Sequence, residues 1–78
     1  METEEIKKLI LTGIADAQVR VTGGDSKYHA EVISTTFNNL TQVQRHQAVY
    51  TTVQEHIQNG RLHALSIAAL TPEEAQSR

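Results

Sequence analysis

The apolar positions Ile6, Leu9, Ile10, Gly13 and Ile14 recur at i, i+3, i+4, i+7 and i+8. That spacing puts them on one face of a helix over residues 4–13. Thr3 is placed to cap this helix, and Glu4 and Glu5 suit the positive end of its dipole. From residue 15 to 22 the period falls to two. Ala17, Val19 and Val21 point one way, and Asp16, Gln18 and Arg20 the other. Residues 27–35 alternate again, with Tyr28, Ala30 and Val32 set against Lys27, His29 and Glu31. Between the two runs lies Thr22-Gly23-Gly24-Asp25-Ser26, whose glycines permit positive φ, so the pair reads as a β-hairpin.

Phe37-Asn38-Asn39-Leu40 is a break with room for a short helical turn. Thr41 followed by Gln44 has the form of a capping box, and the helix it opens is expected to stop at Asn59-Gly60. Its apolar face is read as Val43, His46, Val49, Tyr50, Val53 and Ile57. Residues 62–70 read as a third strand. Thr71-Pro72-Glu73-Glu74 is a second capping box with proline at the first helical position, so a short final helix should follow. The expected fold class is therefore α+β, in the order α-β-β-(α)-α-β-α, as one domain over residues 1–78. The hairpin strands are antiparallel. A helical crossover to the third strand makes that pair parallel and right-handed. The result is a mixed three-stranded sheet with helices on one face.

Composition removes several kinds of chemistry. The 78 residues contain no cysteine, so disulfides, thiolate metal sites and cysteine nucleophiles are excluded. A formal charge of −2 with scattered Lys and Arg offers no long-range attraction to nucleic acid or an anionic membrane. No apolar run approaches the roughly 20 residues of a membrane span, and Met1–Glu5 is acidic where a signal peptide is basic. The expectation is a cytoplasmic protein, monomeric when isolated. No phosphate-binding glycine loop, helical zinc motif or serine elbow is present, so an enzyme is not expected.

Without cysteine, histidine is the first candidate metal ligand. His63 opens the third strand and shares the parity of Leu65, Ile67 and Ala69. Two readings stand: a strand-edge histidine at the surface, or a metal ligand through a neutral ring nitrogen. One histidine cannot complete a site alone. His46, between Val43 and Tyr50, reads as packed on its helix, and His56 as solvated. His29 lies on the polar side of the second strand. Asp25 reads first as part of a turn and second as an anion or metal contact.

The run Phe37-Asn38-Asn39-Leu40-Thr41-Gln42-Val43-Gln44-Arg45-His46-Gln47-Ala48-Val49-Tyr50 resembles the signature of the BolA family. Leu62-His63-Ala64-Leu65-Ser66-Ile67 followed by Thr71-Pro72 resembles its C-terminal block, most like the IbaG/YrbA branch. The resemblance implies a fold similar to a type II KH domain, and a partnership with a monothiol glutaredoxin. It implies a [2Fe-2S] cluster shared with that partner and glutathione, in iron homeostasis and stress response, and no cofactor on the isolated chain. His63 matches the family's ligand histidine. Asp25 and His29 fall near the second ligand that some relatives carry in the hairpin loop. Arg45, His46, Val49 and Tyr50 match the signature helix, where a structural role is implied. Asn39 stands where the family usually has glycine, and asparagine tolerates that conformation better than most residues. Some relatives are described as transcriptional regulators, so nucleic-acid binding is the competing function. Against it, the break Asn38-Asn39-Leu40-Thr41 lacks a GxxG clamp.

Overall fold

The computed structural model describes residues 2–24, 27–58, 60 and 64–77. Helix α1 spans Thr3–Gly13, strand β1 Gln18–Gly24 and strand β2 Lys27–Ile33. A 3₁₀ turn at Thr35–Phe37 leads to helix α2, Gln42–Gln58. Strand β3, Ala64–Leu70, and helix α3, Pro72–Gln76, complete the chain. The sheet order is β1-β2-β3. β1 runs antiparallel to β2, from Gln18↔Ile33 to Gly24↔Lys27, and β2 runs parallel to β3, from Lys27↔Ala64 to Ile33↔Leu70. This is the expected α+β architecture. No helix among the described residues is long and apolar enough to cross a membrane.

The alternation along the strands decides which side of the sheet is covered. Tyr28, Ala30, Val32 and Ala69 are buried under α1 and α2, together with Ile6, Ile10, Ile14, Val49 and Val53. Gln18, Arg20, Thr22, Lys27, His29 and Ser66 stay exposed on the other side. Phe37 is the largest fully buried side chain, so the 3₁₀ turn closes one end of the core. The two long helices meet closely at Gly13, where a β-carbon would come within 2.5 Å of Thr52 Cγ2.

Both later capping boxes form. Gln44 N–H donates to Thr41 Oγ1 at 3.2 Å, and Thr41 N–H to Gln44 Oε1 at 2.9 Å. The Thr71–Glu74 box repeats the pattern at 3.2 and 2.9 Å. At the first helix the cap lies one residue earlier than expected. Thr3 is already helical, and Glu2 N–H donates to Glu5 Oε1 at 3.3 Å. Asn39 has φ +67°, the left-handed conformation its place in the turn requires.

β1 starts three residues later than its alternation suggests and includes both glycines. Ala17 N–H donates to Ile14 O at 3.1 Å, so residues 14–17 form a turn rather than strand. Gly23 and Gly24 pair with Tyr28 and Lys27, so they extend the ladder.

The face of α2 is corrected by the structure. Val49 and Val53 are buried and Ile57 is half-buried, as read, but Val43 is 67% exposed, Tyr50 42%, and His46 is exposed as well. Arg45 turns inward instead. The stripes through 45, 49, 53 and through 43, 46, 50 have the same period, one residue apart in phase, so periodicity cannot choose between them. Arg45 can be buried because its guanidinium finds partners there. His56, expected in solvent, is half-buried beside Glu5, Lys8, Leu9 and Thr12.

Candidate functional site

The parallel pairing of β2 with β3 starts both strands at the same end of the sheet. Lys27 lies beside Ala64, and His29 beside Ser66. His63 and Asp25 both lie outside the described residues. In sequence His63 immediately precedes Ala64, and Asp25 stands two residues before Lys27. His29 is exposed on the uncovered side of the sheet. With Thr22, its partner across β1, and with Arg20 and Glu31, it lines a shallow depression of about 210 Å³. No group of three His, Cys, Asp or Glu suited to a metal ion occurs among the described residues. His29 and Glu31, which share the depression, are two such residues and fall short of that set.

The signature helix divides into two roles. Val49 belongs to the core. Arg45, only 7% exposed, joins four segments. Its Nε donates to Leu40 O at 3.0 Å and its Nη1 to Ala69 O at 3.2 Å. Nη1 and Nη2 also meet Glu74 Oε1 and Oε2 at 2.6 and 3.3 Å. The fork geometry of guanidinium makes this set possible, and lysine would not reproduce it. Arg45, with the Thr71 N–H in support, holds the Glu74 carboxyl below its ordinary range. His46 and Tyr50 instead line a broad shallow groove of about 460 Å³ on the outer side of α2, with Val43, Gln47, Thr51 and Gln54.

Asp16 is the residue the sequence pattern did not mark. Its carboxylate accepts from Ser34 Oγ and Thr35 Oγ1, both at 2.7 Å, and from Thr35 N–H and Thr36 Oγ1, both at 3.2 Å. The Thr35 and Ser34 hydroxyls lead in favouring the charged form, which lowers its pKa from 3.8 to about 2. The clasp ties the α1–β1 turn to the corner after β2. A Ser-Thr-Thr run after a strand was the available signal, but its partner lies some twenty residues away.

Residues 12–74 match the family model for BolA-like protein. The chain belongs to the BolA family. It is 32% identical over 74 residues to the acid stress protein IbaG of Escherichia coli K12, covering 95% of this chain and 88% of that one. Its fold is similar to that of a bolA protein homologue from Coxiella burnetii, with a TM-score of 0.87, 34% identity and 97% of each chain covered. The BolA domain of SufE1 from Arabidopsis thaliana superposes with a TM-score of 0.80 at 26% identity, over 92% of this chain and 93% of that one.

Proposed function

We propose that this BolA-family chain is a non-enzymatic adaptor that pairs with a monothiol glutaredoxin and contributes His63 as one ligand to a shared [2Fe-2S] cluster. The donor set supports a partial site. Without cysteine the chain offers imidazole and carboxylate only, and an iron–sulfur cluster needs thiolates from elsewhere. The register of β2 against β3 is the observation that carries the reading. It starts at one sheet end the two strands that follow Asp25 and His63 in sequence, with His29 two residues further along β2. A cluster bound there would have a charge and potential set in part by imidazole in place of thiolate. The ring nitrogen must be deprotonated to bind, so cluster retention falls in acid.

Mixing the protein with a monothiol glutaredoxin, iron, sulfide and glutathione should give a heterodimer. Its visible spectrum should differ from that of the glutaredoxin homodimer. His63→Ala should change that spectrum or shorten the cluster lifetime. An unaltered spectrum and lifetime in the variant would remove His63 from the ligand set.

Nucleic-acid binding is the weaker reading. Phosphate contacts need available cations. Arg45, the only Lys or Arg of α2, is buried against Glu74 and two carbonyls. Tight, salt-sensitive DNA binding near physiological ionic strength would reverse this preference.

A further inference from the structure

Among the described residues, β3 has a sheet neighbour on one side only. The orientation of its backbone follows from one bond. Ser34 N–H donates to Leu70 O at 3.0 Å, so Leu70 faces β2. The peptide groups of successive residues alternate in direction across a strand. Ala64, Ser66, Ala68 and Leu70 therefore face β2, and Leu65, Ile67 and Ala69 face outward. The bond from Arg45 Nη1 to Ala69 O agrees with that direction. The N–H and C=O of Leu65 and of Ile67 remain on the outer edge. Among the described residues they donate to and accept from no backbone group outside the sheet.

Natural edge strands are usually guarded by a charge, a proline or a bulge. The other edge strand, β1, carries Arg20. β3 reads Ala-Leu-Ser-Ile-Ala-Ala-Leu, with neither charge nor proline. Leu65 and Ile67 lie packed against the core yet only half-buried. They form an apolar rim beside the unpaired peptide groups.

We propose that this edge pairs antiparallel with the same edge of a second copy, about a two-fold axis at Ser66, joining two sheets into one of six strands. Arg45 narrows the choice of register. Pairing centred on Ile67 would require the Ala69 carbonyl, which the guanidinium holds. Pairing centred on Ser66 sets Leu65 against Ile67 of the second copy and uses all four free groups. On the helix-covered side it joins Leu to Ile. On the other side Ser66 meets Ser66, and Ala64 meets Ala68, so only small side chains touch. No charged residue of β3 is brought against its own copy. The strand is thus its own complement in shape, polarity and hydrogen bonding, which favours a copy over a foreign extended segment. Four ladder bonds make a small interface, so the association is reversible and the monomer dominates at dilution.

The chain has no native thiol, so a single introduced cysteine reports the register without background. Directly opposed residues in a non-hydrogen-bonded antiparallel pair have Cα atoms about 4.5 Å apart, within disulfide range. Ser66→Cys should form a disulfide dimer under mild oxidation. Ala64→Cys, opposite residue 68 of the copy and not itself, should cross-link at least about tenfold more slowly, since its own copy lies roughly four residues along at ~3.4 Å each. Ser66→Lys, at a position exposed in the monomer, should weaken self-association by about tenfold or more by opposing like charges. Circular dichroism checks that each variant folds. Equal cross-linking of the two cysteine variants would overturn the proposal. So would a wild-type sedimentation profile that stays monomeric into the millimolar range. Slowed amide exchange at Leu65 and Ile67 only after a glutaredoxin is added would overturn it in favour of a foreign strand.

Discussion

Replacing Arg45 with methionine keeps an unbranched apolar side chain in the same space and removes every donor of the guanidinium. Two effects then compete. The ion pair with Glu74 is lost, but the Glu74 side chain is 43% exposed, so water screens that attraction and its loss matters little. The second effect dominates. Ala69 is 2% exposed, and its outward carbonyl loses its partner where water has little access. An orphaned buried acceptor costs about 1–3 kcal/mol. The half-buried Leu40 carbonyl adds a smaller amount, so Arg45→Met should cost about 2–4 kcal/mol. A domain of this size is stable by roughly 4–12 kcal/mol, so the loss is a large fraction of the total. Urea denaturation followed by circular dichroism measures it as a lower midpoint at unchanged slope. Because the main term is not ionic, the deficit should persist in 1 M salt. A deficit below about 1 kcal/mol, or one that salt abolishes, would refute the carbonyl argument.

Other outcomes follow from single contacts. Asp16 has a folded-state pKa below its unfolded value, so its clasp contributes fully above about pH 4 and is lost as pH falls toward 2. Asp16→Asn should therefore flatten the acid limb of the stability curve, and an Asp16 carboxyl titrating near 4 by NMR would contradict the clasp. Gly23 has φ +117°, and a β-carbon there would lie 2.3 Å from Lys27 O. Gly23→Ala should lower the urea midpoint by the equivalent of more than ~1 kcal/mol. Gly24→Ala, with nothing within 4 Å, should barely move it, and equal shifts would remove the steric explanation.

The fold was legible where signals were local. Alternation placed Tyr28, Ala30 and Val32 on the buried side of β2, and the Thr41/Gln44 and Thr71/Glu74 boxes marked two helix starts. What failed depended on distance. The rotation of α2 is set by Glu74 and Ala69, which lie far along the chain from Arg45, and hydropathy assigns an arginine to the surface by default. Asp16 looked like one more outward strand residue because Ser34, Thr35 and Thr36 reach it only after the hairpin closes. The histidine on which the functional reading rests was found through matching blocks around it, since spacing alone favoured a plain strand-edge residue.

The β2–β3 ladder also sets an order in time. Each β2 residue pairs with one further along the chain by a constant offset (Lys27 with Ala64, Ile33 with Leu70, an offset of 37 throughout). Closing a loop of that length costs about 3 kcal/mol of chain entropy beyond a constant, whereas β1 and β2 meet through a tight hairpin. The hairpin can form on a microsecond scale, and β3 must wait for α2 to span the sheet. The sheet end that begins at Lys27 and Ala64 is then assembled last, together with the Arg45 contacts to Ala69 and Glu74. A nascent or partly unfolded chain would keep its hairpin and helices for a time while lacking that end. Any ligand bound there would report completion of the fold rather than its beginning.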